Sequence, residues 1–500
     1  MLRILDMLNQ FVWGFPALML ILSVGTLLSV RTGWAQIRLF PKAIRAFFSS
    51  TGQADDENGT SPFRALCTAL AATVGTGNLA GVAGAIAIGG PGAIFWMWIC
   101  AILGMATKFA EATLSVRYQV RDQDGSYIGG PMYMVRSGMG SRWQFLAGIY
   151  CFFGVVAAFG VGSATQINAM LGGINSAVSA LGGNESKFAN LLIGVCMAAI
   201  AVVVLLGGAK RIGAAAAFLV PFASVFYLIL CIGVLSFRAS AIPSAFCAIL
   251  EGAFCPQAVT GGVLGSVFQA LRIGASRGVF TNEAGMGTAG MAHGAARVKH
   301  PVQQGLMGIV EVFLDTIVIC TMTALVILCS GIPVPYGQDL GVQITTDAFS
   351  RVYGSWVAVP LAFALCCFAI ATVLGWGLYG ARCAEFLFGK NVWKPFAFLQ
   401  GASIVLGAVL STGTVWSLSE TANGLMAIPN LIVLIYLSPE LVRLVREYKG
   451  ISRTAAIGGT NENIPKSKPM QPFTNAEISS VCSRGAETGK ENLSSEYRSA

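Results

Sequence analysis

The sequence predicts an all-α polytopic membrane protein of eleven transmembrane helices. One extra N-terminal helix precedes a five-plus-five inverted repeat with two broken helices. Three observations predict it. Of 500 residues, 55% are hydrophobic and 11% charged, with mean hydropathy +0.69; a soluble domain carries about 25% charged residues. Apolar runs long enough to cross the roughly 30 Å hydrocarbon layer recur along most of the chain. One of them, over 63–88, is interrupted in its middle by Gly75-Thr76-Gly77-Asn78, residues that each disfavour helix.

The apolar spans fall at 11–30, 63–88, 91–116, 143–171, 189–206, 212–236, 257–275, 302–330, 354–379, 395–411 and 415–437. The first is longer than a signal-peptide core and lacks a small-x-small cleavage site near its end, so it reads as a retained helix. Loops 31–64, 117–142, 208–213, 272–301, 380–394 and 438–450 hold 21 Lys and Arg; the alternating loops hold 4. That asymmetry places the N-terminus outside and the C-terminus in the cytoplasm. It divides the chain into an N-terminal helix and basic loop (1–62), a first five-helix repeat (63–236), an extracytoplasmic loop (237–256), a second repeat (257–437) and a cytoplasmic tail (438–500). The tail is read as largely disordered, since 451–500 is rich in Ser, Asn, Glu, Lys and Gly without a long apolar run.

Composition also excludes functions. The net charge of +9 is spread singly between apolar spans and forms no aromatic-basic module, so no nucleic-acid partner is expected. His293 and His300 are the only histidines and no HExxH or GxSxG occurs, so no enzyme is expected. The 13 cysteines lie mostly in apolar spans, as small packing residues, and form no metal motif. Cys247 and Cys255 share an extracytoplasmic segment, as a disulfide or as two thiols. An ion channel accounts for broken helices but predicts no closed pocket lined by Trp and Phe.

A break inside hydrocarbon persists only where protein or a polar cavity satisfies the freed backbone. Half-helix N-termini then face anionic groups and unwound carbonyls face cations. A glycine-lined helix crossing is the other reading of the same residues. Five spans on, Pro256 to Gln269 carries the Gly261–Gly265 cluster as the expected second unwinding point, and Gly274 to Gly278 as the cytoplasmic exit. Asn78 suits substrate, Na⁺ or a helix cap. Gln166 and Asn168 place amides near the break or bond helices together. Thr372 and Trp376 share a helix face. Glu311 and Asp315 share another, as a proton or cation relay or as bonds between helices. Glu111 reads as an ion pair with Arg117, Lys108 as snorkelling or paired, and Glu283 as an inner-gate partner of an Arg.

Several segments resemble the sodium:alanine (alanine or glycine:cation) symporter family: Ala72 to Asn78, Gly89-Gly90-Pro91-Gly92-Ala93-Ile94-Phe95-Trp96-Met97-Trp98, Arg277 to Gly285, Asp315-Thr316, Cys320 to Thr323, and Gly375-Trp376-Gly377-Leu378-Tyr379-Gly380. The resemblance covers roughly 11–445 and implies a leucine-transporter-type fold in the cell (inner) membrane. It implies symport of a small neutral amino acid, alanine or glycine, with Na⁺ as a co-transported ion and no cofactor, sometimes with H⁺. The implied substrate residues are Gly75, Thr76, Gly77, Asn78, Gln166, Phe268, Thr372 and Trp376. Trp376 limits the side chain and Phe268 acts as gate or pocket wall. Ala71, Val74 and Thr372 are the implied Na⁺ ligands. Relatives resembling this chain carry two adjacent hydroxyls where it has Ala371-Thr372. The oligomeric state is left open.

Overall fold

The computed structural model describes residues 15–52, 59–122, 124–260, 266–338, 341–409 and 412–456. The hydrophobic spans become helices. In chain order these are α1 (Phe15–Thr32), an amphipathic α2 (Phe40–Ser50), α3 (Pro62–Thr73), α4 (Val82–Gly89), α5 (Gly92–Arg117), α6 (Gln144–Phe159) and α7 (Thr165–Ala180). They continue with α8 (Lys187–Leu206), α9 (Gly208–Phe237), α10 (Val267–Asn282), α11 (Thr288–His293), α12 (Pro301–Val312), α13 (Thr321–Ser330), α14 (Ala358–Phe388), α15 (Trp393–Val409) and α16 (Thr412–Ala456). Among the described residues, eight helices are long and apolar enough to cross a membrane, nine when the bent pair Pro62–Thr73 and Gly77–Gly89 counts as one. The two other expected spans are α1, which is shorter, and 257–275, of which 261–265 lies outside the described residues. The count of eleven therefore rests on the sequence pattern.

Ser61 starts α3 by accepting the Arg64 N–H, with Pro62 at the first helical position, where its missing N–H costs nothing. The helix ends at Val74, which turns to an extended ψ of 95°. A π-helical turn over Gly77–Gly81 then leads into α4, at 54° to α3. Similar π turns occupy Gly160–Ala164, between α6 and α7, and Phe313–Cys320, between α12 and α13. Each adds one residue to the backbone ladder and frees carbonyls for side chains, a feature common at functional sites.

The expected second unwinding point, Gly261–Gly265, lies outside the described residues, and α10 begins beyond it after an extended Ser266. α10 runs without interruption through Gly274 and Gly278, whose bare Cα atoms pack on Ala93, Trp96, Met97 and Cys100 of α5. These glycines form a crossing seam. Among the described residues the chain unwinds later, at Glu283–Gly287, where Glu283, Gly285 and Gly287 all take positive φ. α16 continues as far as Ala456. Glu440, Arg443 and Glu447 pair along its surface at i,i+3 and i,i+4 spacing, and Arg117 reaches Glu440 from α5 at 2.9 Å. The pairs along its surface favour helix. Residues 457–500 lie outside the described residues. Cys247 and Cys255 are free and exposed.

α14 lies directly on α3. A methyl group placed on Gly375 falls 2.8 Å from Ala72 N and 3.0 Å from Ala72 Cβ, a contact with backbone that cannot rotate away. Gly375→Ala must push α14 off the broken helix. We expect it to lower the stability of the purified protein by about 1–3 kcal/mol, read as a fall in melting temperature in detergent against wild type.

Candidate functional site

The Gly75 N–H, which an unbroken helix would give to Ala71 O, goes to Asn78 Oδ1 at 2.8 Å. The ladder of α3 therefore stops with Val74 N–H on Leu70 O, and the Ala71 carbonyl is released from its helical donor. Asn78 is a cap for the break. Its amide donates to Asp315 Oδ1 at 2.7 Å and to Asp315 O at 3.2 Å, with Cys320 Sγ at 3.3 Å. This one side chain, fully buried, ties the first break to the π turn below α12.

Around the break stand groups from two other helices, α7 and α14. Thr76 Oγ1 donates to Gln166 Oε1 at 2.9 Å, and Gln166 Nε2 donates to Val161 O in the neighbouring π turn. A methyl on Gly75 would lie 2.6 Å from Thr372 Oγ1 and 3.5 Å from Gln166 Oε1. The Thr372 hydroxyl is buried without a hydrogen-bond partner. A buried unpaired hydroxyl is costly, and this one points at released backbone. Ala71, Val74, Gly75, Thr76, Gln166 and Thr372 thus meet at one place. Trp376, one turn past Thr372, is fully buried and donates Nε1–H to Glu283 Oε1 at 2.9 Å.

Phe268 is not at this place. It lies at the start of α10 and is 50% exposed, more than three turns from the end of α10 that approaches the break. The residues of α10 beside Gly77 are Thr281 and Phe280. Asn168 faces the other way, toward Gly407 O at 3.5 Å, and so joins α7 to α15.

The acidic residues are bonded among helices. Asp315 accepts from Asn78 and from Thr316 Oγ1 (2.8 Å), and Thr316 accepts from Asn282 Nδ2 (3.2 Å) at the second break. Glu311 turns the other way and pairs with Lys108 Nζ at 2.9 Å and His293 Nε2 at 2.8 Å, all three fully buried. Gln304 holds the other histidine nitrogen at 2.7 Å. Glu111 has no bond to Arg117, which pairs with Glu440. Its Oε1 instead accepts the N–H groups of Gly285 and Gly287, both at 3.0 Å, and the Asn430 amide at 2.8 Å. Glu283 faces Trp376 and Thr288, with Oε2 accepting from Thr288 Oγ1 at 2.7 Å; these, rather than an Arg, are its partners. Phe280, Thr281, Thr316 and Cys320 lie in segments that carry the family resemblance, but nothing in the sequence assigned any of them a role at the site. Each is one more small or apolar residue in an apolar helix, and only the bend brings them to the break.

The profile of the sodium:alanine symporter family matches residues 1–458. This chain belongs to that family. It is 40% identical over 460 residues to the sodium/alanine symporter AgcS of Methanococcus maripaludis, covering 91% of this chain and 98% of that one. It is 40% identical over 450 residues to an uncharacterised transporter of Haemophilus influenzae, with 89% and 95% coverage. To the probable sodium/glutamine symporter GlnT of Bacillus subtilis it is 35% identical over 451 residues, with 89% and 90% coverage. The crystal structure of MhsT in complex with L-phenylalanine has the same fold, with TM-score 0.55 at 15% identity over 76% of this chain and 90% of that one. The protein is a multi-pass membrane transporter of the leucine-transporter type, and its relatives are symporters rather than enzymes.

Asn78→Ala removes the Gly75 cap and two donors to Asp315 together. Each buried group left unpaired costs about 1–3 kcal/mol. The variant should lose amino-acid uptake and melt several degrees lower in detergent, while Asn168→Ala, at the α7–α15 contact, should retain uptake in the same assay.

Proposed function

We propose that this protein is a secondary active transporter that carries small neutral amino acids, alanine and glycine first, with Na⁺ across the inner membrane by alternating access. The observation that carries the reading is the unpaired, buried Thr372 hydroxyl aimed at the released backbone of the first break. A zwitterion leaving water needs both ends satisfied. Backbone N–H groups at Thr76–Gly77 and the Gln166 amide suit its carboxylate, at the start of the second half-helix where the dipole is positive. The carbonyls of Ala71 and Val74 with the Thr372 hydroxyl form a set of hard oxygen donors for Na⁺. Trp376 fills the volume beyond Thr372, so that a side chain larger than a methyl is excluded. The relatives include a sodium/alanine symporter and a probable sodium/glutamine symporter, and pocket size is the property that would separate such substrates.

A second reading follows from Asp315. This carboxylate is fully buried, and the partners at its two oxygens, Asn78 and Thr316, are neutral. An uncompensated charge there is expensive. A proton or a second cation at Asp315 would remove the cost, and Glu311, already paired with Lys108 and His293, is the weaker candidate for such a relay.

Uptake of external labelled alanine into proteoliposomes under imposed gradients separates the two. On the Na⁺ reading an inward Na⁺ gradient drives accumulation, and choline in its place at fixed pH abolishes it. Thr372→Val should then raise the Na⁺ half-saturation about tenfold or more, the equivalent of one contact to a charged group. Accumulation that follows a pH gradient without Na⁺ would reverse the assignment in favour of Asp315.

Orientation is tested in intact cells, in a background without the exposed native cysteines Cys196, Cys247 and Cys255. Glu185→Cys lies on the expected outer side and Lys299→Cys on the inner, both exposed. An impermeant thiol reagent should label the first at once and the second after permeabilisation; the opposite order would invert the topology.

A further inference from the structure

Glu283 occupies a backbone conformation that its residue type disfavours. It caps α10 in the left-handed region, at φ 52° and ψ 25°, with its N–H on Val279 O. Among the described residues only Trp34 shares a positive φ without being glycine. Glycine or asparagine is the ordinary choice at such a cap, and a glutamate there carries strain that its surroundings must offset. Its side chain shows what offsets it. Both carboxylate oxygens are used, Oε1 by Trp376 Nε1–H and Oε2 by Thr288 Oγ1–H, and the residue is 2% exposed.

The indole is held from two ends. At its base, α14 lies so close to the Gly160–Ala164 turn that a methyl on Gly162 would fall 2.2 Å from Trp376 Cβ. At its far edge the single polar atom of the ring ends on Glu283. Tyr379 packs edge-on at 5.9 Å. An indole with one fixed edge and one fixed base has one orientation. The segment carrying Glu283 is itself gripped, since Glu111 accepts the Gly285 and Gly287 N–H groups and Asn430 donates to Gly285 O.

We infer that Glu283 is a positioning residue for substrate size. It sets the limit by fixing the Trp376 indole from the second break, and acts through that ring without contact to the amino acid. The inference rests on the reading of Trp376 as the pocket wall. It also ties the wall to the second break, so the size filter and the unwound segment move as one unit.

The test is competition of unlabelled leucine and methionine against labelled alanine uptake in proteoliposomes. Glu283→Leu keeps the bulk and removes the acceptor. It should improve leucine and methionine relative to alanine about tenfold, the low end of what a pocket gains per methylene when its wall is lost. Glu283→Gln keeps an acceptor for the indole and should stay within about twofold of wild type. In a Trp376→Phe background, which has no N–H to hold, Glu283→Leu should add nothing. An unchanged ratio in Glu283→Leu, or the same shift in both backgrounds, overturns the inference. Should Glu283→Leu yield no folded protein by size exclusion, Thr288→Val takes its place. That variant frees the other oxygen of the same carboxylate and should shift the ratio only where Trp376 is present; no shift overturns the inference equally. Trp376→Ala separates the two levels. If it leaves the preference for alanine intact, the pocket reading itself falls. If it relaxes the preference while Glu283→Leu does not, only the role of Glu283 falls.

Discussion

An interrupted helix inside hydrocarbon must find an internal partner for each backbone group that it releases. Here that requirement falls on one amide. Asn78 accepts the N–H of Gly75 with its oxygen and donates to Asp315 with its nitrogen, so the same side chain closes the gap in the first helix and anchors it to the π turn opposite. From Asp315 the chain of bonds runs through Thr316 to Asn282, the last residue of α10 before the second break. The two unwound segments are thus linked by four side chains and three hydrogen bonds. These bonds do not use the Ala71 carbonyl or the buried Thr372 hydroxyl, the two groups that the proposed function assigns to a passenger.

Much of this architecture was legible in the sequence. The first break reads directly from Gly75-Thr76-Gly77-Asn78, because each of the four residues disfavours helix. The spans around it read from hydropathy, and the contact of Thr372 with the break follows from the family resemblance. The unwound stretch at Glu283–Gly287 did not read from the sequence, for a physical reason. Glycine in a membrane helix serves both to unwind it and to let a neighbour approach. The Gly274–Gly278 cluster is a packing seam, and the unwound stretch beyond it holds a glutamate in the left-handed region. No local rule marks Glu283 for that conformation; the Trp376 and Thr288 bonds do.

Charge reading met the same boundary. Sequence spacing put Glu311 and Asp315 on one helix face at i,i+4, which assumes an unbroken α-helix. The π turn begins between them, at Phe313. Glu311 goes to the Lys108–His293 cluster and Asp315 goes to the break, so the two carboxylates serve different neighbours. Arg117 and Glu111 lie on the same helix and looked like partners, yet each bonds elsewhere. Pairings within a helix are cheap to propose from sequence, whereas the pairings seen here cross between helices far apart in the chain.

The π turn over Gly160–Ala164 has a consequence for how such chains vary. It amounts to a single surplus residue in the backbone ladder. Deleting one residue there would heal the α-helix and leave the hydropathy of the span unchanged. It would also rotate everything beyond it by about 100°, carrying Gln166 off the face that meets Thr76. A one-residue gap at that turn, placed for convenience when two members of the family are aligned, would pair side chains that look in different directions.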